Sequence, residues 1–123
     1  MKKALLDTNF ILTSVKQKID FFEEIKLMGI QIIIPKQVIN ELERITKSKQ
    51  KLHNKEIAKL SLKLLEKERF KKIDLKLKNT DNGIINFAKK NPKAIIATLD
   101  KGIKSKIKNN KLVIRGKKKL EIL

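Results

Sequence analysis

Apolar residues in this chain gather into two kinds of run. Short β-branched stretches, such as Ile30-Gln31-Ile32-Ile33-Ile34, read as buried strands. Longer stretches repeat apolar positions three and four residues apart, as Val38, Ile39, Leu42 and Ile45 do, and read as helices packed by one face. Followed from the start, residues 3–7 form a strand and 9–15 a short helix. Asp20 opens a helix carrying Phe21, Phe22, Ile25 and Met28, which Gly29 stops. A strand over 30–34 ends at Pro35, which starts a helix to about Thr46. The polar stretch from Lys47 to Asn54 is the best loop. A helix then runs from about Lys55 to Glu68, with Ile57, Leu60, Leu64 and Leu65 at helical spacing. A short strand falls within 70–75. Thr80 or Asp81 caps the next helix, and Asn91-Pro92 breaks it. A strand over 94–98, a short basic helix over 102–108, a last strand over 112–114 and a basic tail from Arg115 to Leu120 complete the chain.

This alternation of strand and helix with short connections implies right-handed crossovers and a mainly parallel sheet. The expected architecture is α/β: three layers, α/β/α, around four to five strands. At 123 residues the chain is expected to be one domain, 1–123, without linker or repeat. No apolar run approaches the roughly 20 residues that cross a bilayer. Asp7 interrupts the apolar start and no small-residue cleavage site follows, so a signal peptide is rejected. The absence of cysteine excludes disulfides and thiolate metal sites, leaving oxygen-ligand chemistry and a cytoplasmic setting as the expectation.

Charge narrows the class of partner. There are 31 basic residues against 13 acidic, a formal net charge of +18, and only Arg44, Arg69 and Arg115 are arginine. Such a balance is the electrostatic footprint of a protein that meets a polyanion, RNA or DNA. Lysine-rich composition also arises from genome bias and heat adaptation, so charge alone does not choose the nucleic acid. With five Phe and neither Trp nor Tyr, little base stacking is expected.

Against this basic background, four acids stand in apolar settings at the joints between elements. Asp7 ends the first strand, Glu41 lies beside the apolar face of the helix after Pro35, Asp81 opens a helix, and Asp100 follows Ile95-Ile96-Ala97-Thr98-Leu99. Taken singly, each has an ordinary role: helix caps for Asp7, Asp81 and Asp100, an ion pair with Lys or Arg44 for Glu41. Taken with the strand order they converge, because the carboxyl ends of parallel strands share one edge and ligands bind there. Four carboxylates that close repel one another unless a cation intervenes. Their oxygens suit Mg²⁺ or Mn²⁺, which lowers the pKa of a bound water for attack on phosphorus and offsets charge on the departing oxygens. Thr8, Asn9 and Thr98 are placed to hydrogen-bond the ligating carboxylates or their water. His53, the only histidine, lies in the basic loop without a nucleophile nearby, and no glycine-rich phosphate loop is present.

Asp7-Thr8-Asn9 at a strand end, a helical Glu41, Asp81 opening a helix with Ile84 and Ala88, and Thr98-Leu99-Asp100 together resemble the PIN-domain nucleases. The likeness spans nearly the whole chain and is greatest to short archaeal single-domain members related to the small-subunit ribosomal RNA processing nuclease. It implies a Mg²⁺- or Mn²⁺-dependent endoribonuclease with Asp7, Glu41, Asp81 and Asp100 as its acidic quartet, and frequent homodimerisation. Leu99 departs from the pattern, since relatives commonly carry Asn there.

The expected function is cleavage of structured RNA, ribosomal or transfer RNA, in ribosomal RNA processing alongside ribosome-assembly partners. The same chemistry serves a ribonuclease toxin held by an antitoxin. A non-catalytic RNA-binding protein of the same fold, and a phosphoacceptor domain, are the competing classes. No membrane partner is expected.

Overall fold

Lys2–Leu6 forms strand β1, whose last three residues are wholly buried. Burial on both sides marks it as the centre of a sheet covered on two faces. The computed structural model describes residues 1–116 and 119–123; Lys117 and Lys118, part of the basic tail, lie outside the described residues. The elements that follow β1 are α1 (Thr8–Lys16), α2 (Phe21–Leu27), β2 (Ile30–Pro35), α3 (Lys36–Thr46), α4 (Leu52–Lys67) and β3 (Lys71–Ile73). Then come α5 (Thr80–Lys90), β4 (Ile95–Ala97), α6 (Lys101–Lys106), β5 (Lys111–Arg115) and β6 (Lys119–Ile122).

Among the described residues the sheet has six strands in the order β3-β2-β1-β4-β5-β6. All neighbours pair in parallel except β5 and β6. The chain therefore steps outward from β1 to β3, then returns to β4 on the other side of β1. The break in strand order falls between β1 and β4, and in open α/β sheets ligands bind beyond the carboxyl ends of the strands at such a break.

The sheet separates two cores. On one face Phe10, Phe21, Phe22, Ile25, Val38, Leu42 and Leu65, from α1 to α4, pack on Ala4, Leu6, Ile32, Ile34 and Ala97. On the other, Ile84 and Ala88 of α5 and Ile103 of α6 cover Leu5, Ile33 and Ile96. The α/β/α layering is as the sequence implies, with four differences of detail. The tail supplies a sixth strand: Gly116, at φ 59°, lies where the chain reverses, and β6 pairs antiparallel with β5. Helix α4 starts at Leu52 rather than Lys55, since Lys55 N–H already bonds to the Lys51 carbonyl at 3.2 Å. Its buried face is Ala58, Ser61 and Leu65, so Leu60 points outward and is 53 % exposed. The cap of α5 is Asn79, whose side chain accepts from Asn82 N–H at 3.0 Å, in place of Thr80 or Asp81.

Candidate active site

Each of the four acids is positioned by a different local route. Asp7 is the first residue past β1 and the N-cap of α1. Its Oδ1 accepts from Thr8 N–H at 2.7 Å, and its backbone N–H bonds to the Ala97 carbonyl at 2.9 Å. Asp100 caps α6, with Oδ1 accepting from Ile103 N–H at 3.0 Å. Glycine at position 102 leaves that carboxylate room, because a Cβ there would stand 3.0 Å from Oδ1. Asp81 lies in the first turn of α5, where negative charge suits the helix dipole. Because Asn79 performs the capping, the Asp81 carboxylate is released from that task. Glu41 is half-buried on α3, which leaves the carboxyl end of β2.

Thr98 joins two of these acids. Its side chain is fully buried; the hydroxyl donates to Asp7 Oδ2 at 2.9 Å and accepts from Asp100 N–H at 3.1 Å. The sequence reading assigned it a supporting role at a metal site. Thr8 Oγ1 is buried beside Asp7 without a hydrogen-bond partner among the described residues. Asn9 is exposed and, among the described residues, has no side-chain hydrogen bond to an acid; it lines a cleft of about 300 Å³ between α1, α3 and α4. α-Helical geometry turns successive side chains by about 100°, which carries Asn9 away from Asp7. His53 is exposed in the first turn of α4. Leu99 packs against the first core.

The electrostatics record the convergence. Burial pushes the Asp7 carboxyl up to about 6; the Thr98 and Thr8 hydrogen bonds oppose this, and the Asp81 and Glu41 charges add to it. Asp81 is also raised, first by partial burial of its carboxylate, then by Asp100 and Glu41, with Lys106 opposing. All four acids thus lie within electrostatic reach of at least one other, and among the described residues none has an ion-pair partner. As the side chains sit, no three His, Asp or Glu among the described residues are close enough to hold a metal ion together.

Two contributors escaped the sequence reading. Gln37 in the first turn of α3 grips the segment before α5: Nε2 donates to Asp74 Oδ1 at 2.7 Å, and Oε1 accepts from Leu75 N–H at 3.1 Å. Asn79 was missed as the cap, although an Asn at the start of a helical stretch is a legible signal. Gln37 has no comparable signal, because its partners lie 37 and 38 residues away.

Comparison with known proteins follows this geometry. The family model described as PIN-like domain matches residues 4–118. The chain belongs to the PIN-like domain family. Over 128 aligned residues it is 37 % identical to Ribonuclease VapC4 of Methanocaldococcus jannaschii, covering 99 % of this chain and 97 % of that protein. This PIN-like domain also resembles the solved PIN domain endonuclease Utp24, with a TM-score of 0.77 and 25 % identity over 98 % of this chain and 92 % of that one. A chain in the structure of VapBC2 from Rickettsia felis, bound to a DNA fragment from their promoter, shares the fold. There the TM-score is 0.62 and the identity 19 %, over 89 % of this chain and 98 % of that one.

Proposed function

We propose that this chain is an endoribonuclease that hydrolyses RNA phosphodiester bonds with a divalent cation, magnesium or manganese, held among Asp7, Glu41, Asp81 and Asp100. The observation that carries the reading is the mutual electrostatic influence of carboxylates from four separate segments, none paired with a base among the described residues, beside the β1–β4 break. The full-length likeness to a ribonuclease and to a PIN domain endonuclease supports the reaction class.

The residues fit a hard cation. Every donor is oxygen, and burial, with the Asp81 and Glu41 charges adding to it, holds the Asp7 carboxyl near 6. Such an ion supplies charge neutralisation at the phosphate and a lowered pKa for attacking water. The chain's own residues divide the remaining work. Asp7 is locked by Thr98 and Thr8, so it offers a fixed oxygen, while exposed Asp81 and half-buried Glu41 have side-chain freedom to turn inward. Thr98 sets the spacing of Asp7 and Asp100 by bonding both. The basic surface holds the polyanion against the repulsion of the acids.

Asp7→Asn and Asp100→Asn test the reading. Both variants should keep the parent's circular dichroism spectrum and lose Mn²⁺-dependent cleavage of RNA. Sequencing the RNA ends produced by the parent locates the cut. Cleavage by the variants at the parent's rate would remove the assignment.

Two biological settings share this chemistry. The likeness to Ribonuclease VapC4 favours a toxin restrained by an antitoxin, and that to Utp24 favours ribosomal RNA processing. Growth arrest on expression, relieved by a small protein encoded beside this one, supports the first. Accumulation of unprocessed ribosomal RNA on deletion supports the second.

A further inference from the structure

The starts of the strands, at the edge opposite the acids, carry a feature that the catalytic reading leaves unused. A cavity of about 540 Å³ lies between the beginning of β1, strand β3 and the end of α5. That volume falls within the roughly 300–1,000 Å³ of sites that hold organic ligands. Its floor is apolar, with Ile33 and Phe87, and its rim carries Lys3, Lys71, Lys90 and Lys93. These lysines are all exposed, and none pairs with an acid among the described residues. Among the described residues no carboxylate lines the cavity; the cleft between α1, α3 and α4 shares that, but carries one lysine, Lys16, against four here. Phe87 is set apart as well. Phe10, Phe21, Phe22 and Phe70 form a chain of ring contacts, while Phe87 stays outside it, half-buried, with one part packed on the second core and another lining this cavity.

Four unpaired ammonium groups around an aromatic floor match an alternation of phosphates and a flat base. We propose that this pocket binds single-stranded RNA, a base lying against Phe87 and the flanking phosphates on Lys3, Lys71, Lys90 and Lys93. The inference rests on the reading of RNA as the substrate. It adds an anchoring site distant from the reaction. Asp81 and Lys90 stand at opposite ends of α5, about 14 Å apart along the helix axis. A strand that passes from crevice to pocket therefore runs alongside that helix. The separation answers an electrostatic need, because the acidic crevice repels phosphates and affinity has to come from elsewhere.

Binding of a fluorescent single-stranded oligouridylate, followed by anisotropy in EDTA at low salt, tests the pocket apart from cleavage. K71E/K93E should weaken affinity at least 10-fold and lower the slope of log affinity against log salt by roughly 1.4, two phosphate contacts. K59E/K63E, the same change of charge on the outer face of α4, should weaken it less than about 3-fold. Unlabelled RNA should displace the probe better than inorganic polyphosphate of equal charge, and Phe87→Leu should erase that preference. Equal weakening by the two charge-reversed pairs, or equal displacement by polyphosphate, overturns the proposal. A Mn²⁺ cleavage assay on the same preparations separates the two levels. A parent that cuts RNA while the pairs behave alike refutes the pocket and leaves the nuclease standing. A parent that neither binds nor cuts RNA refutes both.

Discussion

Thr98 Oγ1 lies 2.9 Å from Asp7 Oδ2, joining the ends of β4 and β1 across 91 residues of sequence. The same oxygen accepts the Asp100 amide at 3.1 Å, so one buried hydroxyl holds two of the four acids. Thr98→Val keeps the shape and removes both bonds. The Asp7 carboxylate and the Asp100 amide then lack a partner, a loss of about 1–3 kcal/mol by chemical denaturation. Cleavage should fall roughly 10–100-fold. Thr98→Ser keeps the hydroxyl and should recover most of both.

Asp7 makes metal-free stability depend on pH. Its folded-state value, about 6, exceeds the ordinary 3.8. Between these values the folded state binds more protons than the unfolded state, so stability falls as pH rises from about 4 to 6 and then levels. The groups acting on it are the Thr98 hydroxyl, the Thr8 amide, Asp81 and Glu41. In EDTA, Asp7→Asn should flatten this decline and be the more stable protein at pH 7, by on the order of 2–3 kcal/mol. Denaturant midpoints of both proteins at about pH 4, 5, 6 and 7 measure it. Parallel curves would contradict the assignment. The variant thus trades activity for stability, as buried active-site charges commonly require.

A divalent cation should stabilise the parent in a way the variant cannot share. At a concentration about 100 times the dissociation constant, Mn²⁺ adds roughly 2.7 kcal/mol to a protein that binds it only when folded. Thermal melts with and without Mn²⁺ should therefore diverge for the parent and coincide for Asp7→Asn. A Ca²⁺ series, read by the same melts, distinguishes a site fitted to smaller cations from a general response to charge.

Gly83 couples the segment before α5 to the helix that bears Asp81. A Cβ at this position would stand 2.9 Å from Leu75 Cβ and 3.0 Å from Leu75 Cδ1. The first of these atoms is close to the backbone and yields little. Alanine would gain about 1 kcal/mol in helix propensity and lose roughly 1–3 kcal/mol to crowding, for a net destabilisation. Cleavage should drop as well, because α5 must shift to relieve the contact. A melt and an initial-rate measurement on Gly83→Ala check both, and an unchanged melt would mean that Leu75 moves aside freely.

Local pattern carried much of the architecture. The four isoleucines of Ile30–Ile34 are β-branched and buried, and the run is a strand in the fold. The spacing of Val38 and Leu42 likewise named the buried face of α3. Asp7, Asp81 and Asp100 were conspicuous because each follows or precedes an apolar stretch, and such positions in a βα chain fall at the ends of strands or the starts of helices. These are matters of neighbours within a few residues, which is the range over which backbone preference and amphipathic period act.

What lay beyond that range was decided by packing. The return of β4 to the far side of β1 places Thr98 beside Asp7, and no local signal announces which strand will be its neighbour. The tail became β6 because β5 left an edge open to pair with it, a need that arises only once the sheet exists. Leu60 and Leu65 have equal hydropathy, yet only Leu65 finds a core, because α3 and the sheet lie on its side of α4. Gln37 grips Asp74 and Leu75 for the same reason: a side chain's partners across the fold are set by where the backbone brings them. The chain by itself supplied the acids and the elements that end in them. The tertiary structure determined their company, since electrostatic coupling depends on distance through space rather than along the polymer.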